Sequence, residues 1–141
     1  MRSLLDVNVL IALMDGEHVF HRRARDWIDD HIEDGWASCP ITQAGFVRII
    51  SNPRYPNGVS TTQAIEMLAA STADSHHQFW PADVELTGTA IRPDRVLGPA
   101  QITDVYLLAL AHTHGGRFVT FDQRINLAAV PGASKDSLFI L

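Results

Sequence analysis

Three aspartates in this 141-residue sequence stand where a carboxylate is costly and chemically useful. Asp6 interrupts the apolar run LLDVNVLIAL, Asp104 opens the apolar stretch VYLLALAH, and Asp122 follows RFVTF directly. A carboxylate among aliphatic side chains needs a donor or a cation to offset its lost hydration. Each residue alone has an ordinary explanation. Asp6 and Asp122 could cap the turns that follow them, and Asp104 could be an acid favoured by a helix dipole. What raises the functional reading is convergence, because all three are predicted at strand ends or helix starts on the same edge of one sheet. Carboxylates held that close repel one another unless protons or hard cations intervene. Oxygen-only ligands select Mg²⁺ or Mn²⁺. Such an ion lowers the pKa of a bound water and neutralises the charge that builds on a phosphate during in-line attack, so phosphodiester hydrolysis is the chemistry this set suits.

The elements that must position these acids follow from apolar periodicity. A buried strand is predicted from Ser3 to about Val7, followed at once by an apolar helical turn through Met14. Phe20, Ala24, Trp27, Ile28 and Ile32 recur at helical spacing and predict an amphipathic helix from His18 to about Glu33. Trp36 to Cys39 reads as a strand broken by Pro40, and Thr42 to about Ser51 as a helix. Asn52 to Gly58 is a loop, and Ser60 with Gln63 forms a capping box that starts a helix reaching about Thr72. A short strand is expected over His76 to Trp80, a helix over Asp83 to about Ile91, and a long apolar helix over Ile102 to His114. Gly115 and Gly116 suit the left-handed cap that ends it. Phe118, Val119 and Phe121 form a strand, and Leu138 to Leu141 the last one. Strands alternating with helices imply an α/β domain whose sheet is parallel and covered on both faces. Ligands bind such sheets outside the carboxyl ends of the strands, where the three acids are predicted.

Length and composition support one continuous domain over residues 1–141, because no repeat, linker or low-complexity tract divides the chain. No segment is long or apolar enough for a membrane helix, and the N-terminal run carries Asp6 and Asn8 with no secretory cleavage signal. A soluble protein is expected. With Cys39 the only cysteine there is no internal disulfide and no thiolate metal cage, and a cytoplasmic location is expected. The formal net charge of -5 counts against a nucleic-acid binder, but an acid pocket holding divalent cations is locally less negative than its residues suggest.

Seven histidines invite a transition-metal reading, yet only His18 and His21 have same-face helical spacing and no fourth ligand accompanies them. Arg22, Arg23 and Arg25 could meet phosphate, but Arg22 with Asp26 and Arg25 with Asp29 are spaced to pair on a solvated helix face. Arg48 and Arg54 lie nearer the expected mouth, and Cys39 reads as a small core residue.

Four segments in order, LLDVNVLIAL around Asp6, ITQAGFVRIISNP around Gln43, ITDVYLLALA around Asp104 and FVTFDQRI around Asp122, resemble the motifs of PIN-domain nucleases. More closely they resemble the VapC toxins of bacterial toxin-antitoxin pairs. The resemblance covers nearly the whole chain. It implies a three-layer PIN-like α/β fold with a central, mostly parallel sheet, Mg²⁺- or Mn²⁺-dependent endoribonuclease activity on RNA, a VapB-type antitoxin partner and a homodimer. By the same resemblance Asp6 and Asp104 match the acids that hold the metal, and Asp122 the further acid that completes the site. Gln43 stands where many PIN domains carry an acid, so it brings a ligand oxygen without a charge. Asn8 and Thr120, each two residues from an acid, are expected to support the site from behind, although a cap or surface group would have the same spacing.

Two other functions compete. A phosphohydrolase of another class is disfavoured because the DVN at Asp6 lacks a second aspartate and Lys135, the only lysine, has no matching acceptor aspartate. A non-catalytic RNA- or protein-binding module would follow from loss of the acid at Gln43, but three acids remain.

Overall fold

The computed structural model describes residues 1–141. Five short strands, β1 (Ser3–Leu5), β2 (Trp36–Ser38), β3 (His77–Phe79), β4 (Arg117–Thr120) and β5 (Leu138–Ile140), form one sheet in the order β3-β2-β1-β4-β5. All four pairings are parallel, with Leu4 level with Ala37 on one side and Phe118 on the other. The chain therefore builds outward from β1 to β3, then returns across the sheet to lay β4 on the other side of β1. That reversal opens a crevice at the carboxyl ends of β1 and β4.

Period-two alternation divides the core into two layers. Leu4, Ala37 and Phe118 face α5 (Ile102–Thr113), in which every residue from Val105 to Ala111 is buried. Leu5, Trp36 and Val119 face the other way, onto α1 (Val7–Met14), α2 (His21–His31), α3 (Pro40–Ile50) and α4 (Thr61–Thr72). The result is the expected three-layer α/β arrangement, with a sheet that is parallel throughout.

Several boundaries differ from the sequence expectation, for local reasons. Strand β1 stops at Leu5, because Asp6 caps α1 by accepting the Val7 N–H at 2.7 Å. Helix α2 begins at His21, not His18, and its last turn tightens at Ile32–Asp34 before Gly35 takes a φ of 78°. Pro40 opens α3 instead of merely breaking β2, since the first helical position needs no N–H and suits the fixed proline φ. The capping box at Ser60 and Gln63 is present, with both reciprocal bonds made.

The helix expected over Asp83–Ile91 does not form. That segment is turn and extended chain, anchored by the buried Val84 and Ile91. Thr87-Gly88-Thr89 is a poor helical sequence, Gly88 closes a turn onto the Glu85 carbonyl, and the Asp83 carboxylate is bonded to His114. At the end of α5, Gly115 adopts a φ of 69°. Its N–H bonds the His112 carbonyl while that of Gly116 bonds Ala111, the paired bonds of a Schellman cap. No helix is long and apolar enough to cross a membrane.

Candidate functional site

Asp6 sits at the seam between β1 and β4. Its backbone N–H bonds the Val119 carbonyl at 3.0 Å, so the parallel pairing itself fixes where the side chain emerges. The residue is 7% exposed. One carboxylate oxygen accepts the Val7 N–H and the other accepts the Thr120 hydroxyl at 2.7 Å. Burial pushes the Asp6 pKa up, opposed by the bonds from Thr120 and Val7, and the nearby Asp122 pushes it further in the same direction. The capping explanation for Asp6 is thus realised, but it does not exhaust the residue.

Asp104 occupies the third position of α5, whose amino end is delivered to the same sheet edge. Its pKa is pushed up to about 6, first by burial, then by the charges of Asp6 and Asp122, against the opposing pull of Arg124. Asp104 and Asp122 act on one another in opposite senses, the Asp104 pKa being raised and that of Asp122 lowered by their proximity. Thr120 ties Asp6 to Asp122. Its hydroxyl donates to Asp6 and accepts the Asp122 N–H at 3.1 Å, so one side chain sets the position of two acids.

Asp122 caps the turn that follows it, as its place in the sequence allows, and is also gripped by a side chain. Arg124 grips it as a fork, with Nε at 3.1 Å from one oxygen and Nη2 at 2.9 Å from the other, and the Arg124 N–H adds a third bond at 2.8 Å. This side-chain pairing is the main reason the Asp122 pKa is lowered. The three acids are neighbours that feel one another's charge, but no three acidic, histidine or cysteine side chains close on a common point. The Arg124 guanidinium supplies the positive charge beside Asp122. Sequence reasoning missed it, although an aspartate followed two residues later by an arginine is a recognisable Asx-turn pairing.

Gln43 lies one turn into α3, beside the end of the neighbouring strand, and its side chain does not contact the acids. Its amide nitrogen donates to the Ser38 hydroxyl at 3.0 Å. Ser38 lies 2.8 Å from His77 Nε2, so a Ser38 hydroxyl that accepts from Gln43 has its own proton directed at His77. Gln43 and Arg48 line a groove between α3 and α4, separate from the acids. Asn8 is exposed and lines a shallow pocket with Phe121, Asp122, Gln123 and Arg124.

Arg22 pairs with Asp26 and Arg25 with Asp29, and Cys39 is fully buried. Every histidine makes a hydrogen bond within the chain.

The donor set at the crevice is oxygen-only, and burial and mutual repulsion raise the pKa values of two of its acids. That is the chemistry a hard divalent ion fits. Asp6 and Asp104 could hold it directly, with Asp122 joining once freed from Arg124.

Comparison with known proteins gives consistent results. Residues 3–131 match the family model described as PIN domain. A curated relative in Mycobacterium tuberculosis, Ribonuclease VapC44, is 58% identical over 142 residues, covering 100% of both chains. Ribonuclease VapC39 from the same organism is 49% identical over 135 residues, covering 94% of this chain and 96% of its own. Among solved structures, VapBC2 from Rickettsia felis bound to a promoter DNA fragment aligns with a TM-score of 0.69 at 12% identity, covering 100% of this chain and 99% of that one. A toxin-antitoxin complex from Klebsiella pneumoniae aligns with a TM-score of 0.57 at 18% identity, covering 97% and 99%.

Proposed function

The chain belongs to the PIN-domain family, and from that premise we propose that it is a metal-dependent endoribonuclease, the toxin of a VapBC-type pair, working as one domain in the cytoplasm. The observation that supports the proposal is that Asp6, Asp104 and Asp122 lie near enough at the β1/β4 edge to feel one another's charge, with burial and that repulsion raising the Asp104 pKa to about 6. A structural acid would be placed to lower its own charge cost, and Asp104 is not. Charge repulsion stored among these acids is what a divalent cation relieves.

Mg²⁺ or Mn²⁺ bound there would lower the pKa of a water and offset charge building on the scissile phosphate. The chain's own residues supply the rest. Asp6 is fixed by two hydrogen bonds and by the strand pairing, so it keeps its position when charged. Thr120 holds Asp6 and Asp122 in register. Arg124 keeps Asp122 ionised and exposes a guanidinium beside the site, suited to an RNA phosphate. Gln43, bonded to Ser38, stands apart from the three acids.

The likeness to the VapC ribonucleases supports RNA as the substrate, and the two complex structures support a VapB-type antitoxin that silences the enzyme. A homodimer is proposed on the family resemblance. The test is a divalent-metal titration of the purified protein against single-stranded RNA and against a generic phosphomonoester, with and without co-purified antitoxin. RNA cleavage that needs metal and stops with antitoxin is expected. Hydrolysis of the phosphomonoester alone would make it a phosphohydrolase of another class, and RNA binding with no cleavage would make it a binding module.

A further inference from the structure

Beside the acid crevice lies a partly exposed aromatic stack. Phe121, adjacent in sequence to Asp122, packs partly against the apolar layer under α1 and α2 and also lines the shallow pocket with Asp122 and Arg124. Phe20 rests on Phe121 with ring centroids 4.9 Å apart and planes 29° from parallel. His18 leans against Phe20 at 5.9 Å. Phe20 is not part of the buried layer and remains 39% exposed.

Its position is costly for the helix it precedes. Phe20 is the N-cap residue of α2 and makes no side-chain cap, where serine, threonine, asparagine or aspartate would satisfy a free N–H. The first turn of α2 then carries His21, Arg22 and Arg23 and no acid, the charge least favoured at a helix amino end. Arg22 is paired with Asp26, but Arg23 has no ion pair. The ring packs on Phe121 but caps no N–H of α2, and Arg23 is left unpaired. Both suit an extended polyanion with exposed aromatic bases.

We propose that Phe20, seated on Phe121, is a stacking platform for one base of single-stranded RNA next to the scissile position. This rests on the ribonuclease reading and deepens it. Three features favour RNA over a protein occupant. The platform is continuous with the pocket that holds Asp122, Arg22 and the unpaired Arg23 follow Phe20 in the first turn of α2, and Asn8 and Gln123 border that pocket with amides able to meet a base edge. With few free cations on this chain, stacking supplies affinity that phosphate contacts alone would not, and it tolerates any base.

The test measures KM and kcat in Mg²⁺ for a short single-stranded RNA in which each base in turn is replaced by an abasic ribose. For Phe20→Ala, KM should rise by about 5- to 100-fold with kcat little changed, because the lost contact is made equally in ground and transition states. Phe20→Tyr should restore KM, and Phe20→Leu, equal in apolar bulk, should not. One abasic position should cost wild-type protein the same factor and cost Phe20→Ala nothing further. An unchanged KM, rescue by leucine, or equal losses at every abasic position would overturn the platform while leaving the ribonuclease intact. Loss of self-association or antitoxin binding in Phe20→Ala with KM preserved would assign the surface to a protein instead. Should wild-type protein cut no RNA, equilibrium binding of the same oligonucleotides decides: a Phe20-dependent loss at one position supports the platform without the nuclease, and its absence removes both.

Discussion

Replacing Asp104 by asparagine separates a ligand from a helix-start acid by its sign. In metal-free protein the Asp104 carboxyl is raised from 3.8 to about 6, which at full value is about 3 kcal/mol of destabilisation once the group is charged. Asp104 is only half-buried, and solvent screening reduces this to about 1–2 kcal/mol. Against it stands the loss of a favourable dipole interaction in the first turn of α5, about 0.3–1 kcal/mol. The net gain for Asp104→Asn is on the order of 1 kcal/mol, or about 2–4 °C in Tm for a chain of this size. The pH dependence follows from the raised folded-state pKa. Wild-type protein keeps this stability below about 4 and loses it as pH rises through about 6, so the advantage of the Asp104→Asn variant should be absent near about pH 3.5 and full near about pH 7.5. Thermal melts at both values, with chelator and with saturating Mg²⁺, read it directly. The Mg²⁺-induced rise in Tm should shrink in the variant, and RNA cleavage should fall to background. A variant less stable than wild type at the higher pH, or one with wild-type activity and metal stabilisation, would refute the reasoning.

Thr120→Val removes the donor to a buried carboxylate and should cost about 1.5–3 kcal/mol in urea denaturation. Because that bond lowers the Asp6 pKa, its loss should also move the acidic limb of the pH-rate profile upward, and an unmoved limb would separate Thr120 from Asp6. Arg124→Ala frees Asp122 from its internal counter-charge, so calorimetry should find Mg²⁺ binding tighter by a few-fold; weaker binding would mean that Arg124 helps to build the metal site. Because Gln43 is bonded to Ser38 and lines a groove apart from the acids, Gln43→Glu should leave the Mg²⁺ concentration for half-maximal binding unchanged, and a lowered requirement would bring residue 43 into the metal site. Gly45→Ala places a Cβ 2.6 Å from Val7 Cγ2, next to Asp6. Overpacking of about 1–3 kcal/mol should outweigh the roughly 1 kcal/mol gain in helix propensity, and a stabilised variant in urea melts would show that α1 yields freely.

The sequence carried the sheet and most helices because their apolar spacing is regular and their caps are chemically explicit, as at Ser60 and Gly115. It carried the proximity of Asp6, Asp104 and Asp122 because strand ends and helix starts of a parallel sheet share an edge. It did not carry what each side chain does there. Asp122 turns to Arg124 and Gln43 turns to Ser38 because of partners that no periodicity marks, and the bond from Ser38 to His77 joins residues 39 apart in sequence. The helix expected over Asp83–Ile91 failed because Val84 and Ile91 are apolar at a spacing a helix would tolerate. Tertiary packing and Gly88 decided otherwise.

The most direct test of the central claim is the rate at which demetallated protein cuts a fluorogenic single-stranded RNA as Mg²⁺ or Mn²⁺ is added back, for wild type beside Asp6→Asn. Cleavage should be absent without metal, rise to saturation with it, and stay at background in the variant at every concentration. Cleavage by the metal-free protein, or by Asp6→Asn at the wild-type rate, would contradict a metal-dependent ribonuclease centred on these acids.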